Sequence, residues 1–246
     1  GDCVHTNNDA HQVGVWEHWV MTFDGFIVDD QDSVDFYKNG IEITNEDQSA
    51  AIGDITESNA TSVSIGGDTT IGGPDGEFDG IIDEVRIYNR TLTSSEIAAL
   101  FSSTGGAARV GNSSKVLQQG TSLGSGLVGH WTFDGGDTRW TSETVGVTYN
   151  SGSGGDAYIG TMTNMVRSSA VAIGKLGQGL NFTTTSNDGI SVGDINETDG
   201  ASAMSVALWL KPTANPVGEA IVSKCQCSVT FNWHLSTSDS DILFDP

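Results

Sequence analysis

The sequence predicts an all-β protein, an antiparallel β-sandwich of the jelly-roll kind built from about a dozen short strands. Three observations carry this. Apolar and polar residues alternate over short runs along most of the chain, the period of a half-buried strand. Gly is abundant at 32 and Pro scarce at 4, which suits many tight turns. Asn39-Gly40 sits between two alternating runs, the strongest short-range hairpin signal. At 246 residues the chain can bury one full sandwich core or two small ones.

The elements follow in order. VWEHWVMTF (15–23) places Glu17, Trp19, Met21 and Phe23 on one face and Trp16, His18, Val20 and Thr22 on the other. SVDFYKNGIEI (33–43) is the hairpin, and SVSIGG (62–67) and FDGIIDEVRIYNR (78–90) are strands. TLTSSEIAALF (91–101) changes to helical spacing. Thr93 and Glu96 form a capping box, and Ile97, Leu100 and Phe101 form an apolar stripe. Residues 104–126 are rich in Gly and Ser, lack an apolar period and read as a linker. Strands resume at 126–135, 176–185, 189–195, 202–212, 220–229, 232–237 and 241–244, separated by acidic, Gly-rich loops such as 149–160.

Thirty-two acidic residues against ten basic ones give a net charge of −22. Such a surface repels nucleic acid and anionic membranes, and no apolar run reaches the roughly 18 residues of a membrane span. Much of the acid is Asp in Gly/Asn/Ser loops, where it serves turns, solubility or the chelation of hard cations. The sequence starts at Gly1 without an initiator Met and shows no signal peptide, as a processed product, fragment or repeat unit would.

The motifs resemble the laminin-G-like domains of the concanavalin A-type lectin/glucanase superfamily. The family's opening half is matched by GLVGHWTFDG (126–135), GKLGQGLNF (174–182) and Trp209-Leu210-Lys211-Pro212. Its closing half is matched by WEHWVMTFDG (16–25), YKNG (37–40) and FDGIIDEVRIYNRTLTSSEI (78–97). The halves stand in reversed order: the C-terminal half of the jelly roll at 1–103, the linker at 104–126, the N-terminal half at 127–246. Three explanations compete. The chain is one period of a tandem array, a circular permutant closed within itself, or a subunit that donates half a sandwich to its neighbour in a head-to-tail assembly. Read end to start, Cys3 falls one hairpin after Cys225 and Cys227, so a cross-strand disulfide is feasible. Buried free thiols are the alternative.

No catalytic constellation is present, so the expectation is a protein that is not an enzyme. The Glu-x-Asp-x-(x)-Glu strand of glucanases is missing, EITNED (42–47) has the wrong spacing, and metalloprotease, nucleophile-elbow and phosphate-loop motifs are absent. The resemblance implies a structural calcium between Asp134 and Asp83, with Asp156 and backbone carbonyls as the remaining ligands. Asp83 is notable physically too. It is expected on the face of Ile81, Val85 and Ile87, where an unpaired carboxylate is costly to bury. Trp140, in the acidic loop GGDTRWTSE, is the candidate sugar-stacking residue, or equally a packing lid. The expected function is a non-catalytic extracellular module of adhesion or of head-to-tail assembly with copies of itself or adjacent repeats. A carbohydrate-binding module of a larger secreted glycoside-active enzyme, with glycans as partners, is the alternative.

Overall fold

The computed structural model describes residues 4–6, 11–25, 33–43, 45–47, 55, 61–67, 76–105, 122–184, 187–213, 218–226, 230–238 and 241–245. The segment 1–103 supplies β1 (Val4–Thr6), β2 (Glu17–Phe23), β3 (Val34–Lys38), β4 (Ile41–Ile43), β5 (Asn45–Asp47), β6 (Val63–Ile65) and β7 (Gly80–Tyr88). Helix α1 (Ser94–Gly105) follows. The segment 127–246 supplies β8 (Leu127–Trp131), β9 (Thr138–Trp140), β10 (Gly146–Thr148), β11 (Gly160–Thr163), the short α2 (Arg167–Ala170), β12 (Val171–Ile173) and β13 (Gln178–Phe182). It ends with β14 (Gly189–Ser191), β15 (Met204–Pro212), β16 (Ala220–Gln226), β17 (Thr230–Ser238) and β18 (Asp241–Asp245). Strands β9 to β12 are short and fall where the sequence reads as loop.

The local rules act as expected. Asn39 and Gly40 take φ of 54° and 80°, the mirror-image turn that joins β3 to β4. Asn39 also accepts the His18 N–H through Oδ1 at 3.0 Å. The capping box closes at both ends: Glu96 N–H donates to Thr93 Oγ1 at 3.3 Å, and Thr93 N–H donates to Glu96 Oε2 at 3.0 Å.

One sheet runs β5-β1-β18-β17-β16-β6-β14-β11-β10-β9, and the other β12-β13-β7-β15-β2-β3-β4, with β8 also on β7. The two halves interleave in both. Strand β15 of the second half lies between β7 and β2 of the first, pairing Leu208 with Trp19 and Val206 with Met21. Strand β6 of the first half lies between β16 and β14, pairing Ser64 with Ser223. The first and last strands are neighbours, with Val4 opposite Phe244. One apolar cluster fills the space between the sheets with residues of both halves, including Trp19, Phe36, Val85, Trp131, Phe182, Leu208, Trp233 and Phe244. The sandwich is thus closed within one chain. At Gly66 (φ +76°) a Cβ would lie 2.2 Å from the ring of Phe182 in the other half, so this contact depends on the absence of a side chain.

A second, smaller cluster packs α1 onto the outer face of the β7 sheet through Val20, Tyr88, Ile97, Leu100 and Ala207. Strand β7 is irregular. Between Trp209↔Asp83 and Ala207↔Arg86, both Glu84 and Val85 oppose the single residue Leu208, and Glu84 has φ of +56°. This β-bulge resets the alternation. Ile82, Val85 and Ile87 face the core, not Ile81, Val85 and Ile87, and Asp83 is placed on the opposite face from Ile82. That corrects the face expected from strict alternation.

Candidate functional site

Two places gather chemically useful groups. The first is the outer side of β7. Asp83 is fully buried, and its Oδ2 accepts the Leu176 N–H at 2.9 Å. Asp134, in the turn after β8, accepts the Gln178 N–H through Oδ1 at 2.8 Å. Both carboxylates therefore grip the entry to β13, Asp83 at Leu176 just before the strand and Asp134 at Gln178, its first residue, one from each half of the chain. A Cβ on Gly174 would lie 2.6 Å from Asp83 Oδ2 and one on Gly177 2.1 Å from Asp134 Oδ1, so glycines line the approach to both. Burial, with Glu84 and Asp134 nearby, pushes the Asp83 carboxyl well above its ordinary value. Burial also raises Asp134. Asp83 Oδ1 is buried and finds no hydrogen-bond donor among the described residues.

The neighbouring Glu84 shows the opposite electrostatics. Its burial is outweighed by Arg86 at 2.5 Å and His130 at 3.0 Å, which hold its carboxyl down to about 2. Burial and the Arg86 charge lower His130, and they lower His18 to about 3, so the charged form of both rings is disfavoured. The His18 ring packs at a tilt against Trp209, with centroids 5.2 Å apart, and Lys175 Nζ covers Trp209 at 4.3 Å from the ring centroid.

A divalent cation matches this chemistry in part. A fully buried carboxylate and a half-buried one, both with their charged forms disfavoured and the first with an orphaned oxygen, are a fitting nucleus for a hard cation. The third expected ligand, Asp156, is exposed in the 3-10 turn Gly155–Tyr158. Among the described residues no group of three or more His, Cys, Asp or Glu side chains gathers as a metal site. The 149–160 segment contributes scaffolding instead. Asn150 Oδ1 accepts the N–H groups of His130 and Gly152, both at 2.7 Å, and its Nδ2 donates to Val128 O at 3.1 Å. The disulfide expectation falls outside the described residues, for Cys3 and Cys227 and for the side chain of Cys225.

The second place is an open groove of about 600 Å³ between the sheets' end strands β9 and β12. Arg139, Trp140, Glu143, Arg167, Val171 and Gln178 line it. Trp140 is on β9 rather than in a loop and is half-buried. It faces Gly146 across the β9–β10 pair, where a Cβ would lie 2.9 Å from the indole, so the glycine seats the ring. Glu143 Oε1 accepts the Ser168 N–H at 2.7 Å and Glu143 O accepts the Arg167 N–H at 2.8 Å, which ties α2 to this hairpin. Gln178 Nε2 donates to Phe133 O at 2.7 Å. Of these residues the sequence pointed only to Trp140. The arginines come from segments far apart in the chain, and no local motif joins them.

Residues 1–98 match a laminin-G family model described as the concanavalin A-like lectin/glucanases superfamily. No curated protein and no solved structure gives a significant match. The matched residues supply the first-half strands that residues 127–246 complete. A domain of this kind fits a carbohydrate-binding or adhesion module, and among the described residues no helix is long and apolar enough to cross a membrane. Residues 1–98 of this antiparallel β-sandwich are thus similar to the laminin-G-like members of the concanavalin A-like lectin/glucanases superfamily.

Proposed function

We propose that this chain is a non-catalytic extracellular module of adhesion and assembly, joining copies of itself head to tail by exchanging halves across the 104–126 segment. One observation carries the reading. The central neighbours in both sheets, β15 between β7 and β2 and β6 between β16 and β14, come from opposite halves. A half on its own exposes an apolar sheet face and unpaired strand edges, so it must find the other half. The half it finds can belong to its own chain or to the next, because the same pairs form either way. Exchange that does not close on itself yields an open chain of subunits. Calcium held at Asp83 and Asp134 would fasten the halves, since each contributes one of the two carboxylates. The cation would neutralise them where burial now penalises their charge. Sedimentation of the full chain at rising concentration tests the reading: a ladder of multiples, seen as linear arrays by electron microscopy, is expected. A monomer at every concentration contradicts it.

The groove beside Trp140 favours a second reading, carbohydrate binding. A half-buried indole next to polar groups in an open groove of this size suits the apolar face of a sugar ring. Glycan-array binding that is lost in Trp140→Ala is the expected result for that reading.

A further inference from the structure

We infer that the groove between β9 and β12 binds a short saccharide carrying a carboxylate or sulfate, held by Arg139 and Arg167 against the Trp140 ring. The inference rests on the carbohydrate-binding reading and adds the ligand's charge class. Among the described residues, most of this chain's few cations are already engaged. Of ten basic residues, Arg109 and Lys115 lie outside the described residues. Lys38, Arg86, Arg90 and Lys224 pair with Glu17, Glu84, Glu96, and Asp194 with Asp199, respectively. Lys175 lies over Trp209. Arg139, Arg167 and Lys211 make no ion pair among the described residues, and two of these three line one groove. In a chain of net charge −22, two uncompensated guanidinium groups in one concavity form a local reversal of sign.

The groove's own acid does not cancel them. Glu143 lies near enough to Arg167 to feel its charge, yet no oxygen of Glu143 comes within ion-pair distance, and the carboxylate is occupied by Ser168 N–H. Guanidinium forks suit planar carboxylates and sulfate oxygens, and their donors point in fixed directions. Trp140, seated on Gly146, offers a flat apolar surface beside them. Gln178 spends its amide N–H on Phe133 O and keeps Oε1, on the side of Gly135, as an acceptor for a sugar hydroxyl. The volume of about 600 Å³ accommodates a few sugar rings. The overall negative field opposes a long polyanion, which restricts the ligand to a short chain with one or two charges.

The test is calorimetric titration of the full chain with trigalacturonate, sulfated galactotriose and neutral galactotriose, repeated on Arg139→Gln, Arg167→Gln and Trp140→Ala. Both arginines are exposed, and unchanged urea midpoints verify that their variants are folded. Expected is binding of at least one anionic trisaccharide, about tenfold or more tighter than the neutral one, with each arginine variant losing about tenfold. Which anionic sugar binds better tells carboxylate from sulfate. Equal binding of the neutral sugar, or arginine variants that bind like the wild type, overturns the charge class and leaves carbohydrate binding standing. No binding of any of the three overturns both.

Discussion

Leu208→Ala tests whether the two halves form one cooperative body. Leu208 is 1% exposed in the centre of β15, between Trp19 on β2 and the Glu84–Val85 bulge on β7. Both neighbours belong to the other half. Leu-to-Ala truncation in a core costs about 2–5 kcal/mol, more where the surroundings cannot collapse. Two flanking strands hydrogen-bonded on either side of β15 resist collapse, so a loss of about 3 kcal/mol is expected. With a urea slope near the upper end of the usual range, about 3 kcal/mol per M, the midpoint falls by about 1 M. Unfolding is followed by tryptophan fluorescence, which reports on Trp19 in the first half and on Trp131, Trp209 and Trp233 in the second, and by far-UV circular dichroism. The two signals should shift together as a single transition. Separate transitions, only one of them displaced, would refute the shared core, as would a midpoint shift below about 0.3 M.

Two further outcomes follow from the buried carboxylates. Burial, with Asp79 and Glu77 close by, pushes the Glu219 carboxyl up to about 7 against an ordinary value of 4.5, although it accepts the Asp79 N–H at 2.8 Å. The folded state therefore holds this proton more tightly, so its stabilising contribution is complete below about pH 4.5 and lost as pH rises through about 7. In calcium-free buffer Glu219→Gln should gain urea midpoint over the wild type between pH 5 and pH 7.5; a constant difference would contradict the assignment. For the cation, calcium at about 100 times its Kd should stabilise the wild type by about 2.7 kcal/mol. The thermal shift should disappear in both Asp83→Asn and Asp134→Asn, whereas a shift that persists in either removes that residue from the site.

The long strands were legible because residues 15–23, 33–43 and 202–212 are runs rich in apolar, β-branched and aromatic residues, and β2 and β15 are buried along nearly their whole length. Strands β9 to β12 were not. They are three or four residues long, rich in Gly and Thr, and lie toward the ends of both sheets, where little core imposes a pattern. The β7 bulge left no mark either, because a left-handed Glu84 is imposed by tertiary pairing and not by residue type. One inserted residue moves every side chain upstream of it to the other face, which takes Asp83 off the core face. Asp83 and Asp134 could be named from motif and do meet on one loop. Asp156 could not be placed, since its position depends on a turn held by backbone carbonyls of β8 and by Asn150. The groove was illegible beyond Trp140, because Arg139 and Arg167 converge only through the tie between Glu143 and α2.

The exchange of halves is tested most directly at the pair Ser64–Ser223, which joins β6 to β16 across the two halves. Both residues are small, buried and close in shape to cysteine, and opposed strand residues lie within disulfide reach. In a background with Cys3, Cys225 and Cys227 changed to Ser, a chain carrying Ser64→Cys is unfolded, refolded and oxidised together with a chain carrying Ser223→Cys. A covalent species of two chains that reduction separates is expected. Monomer alone, from a mixture whose doubly substituted control cross-links within one chain, would contradict it.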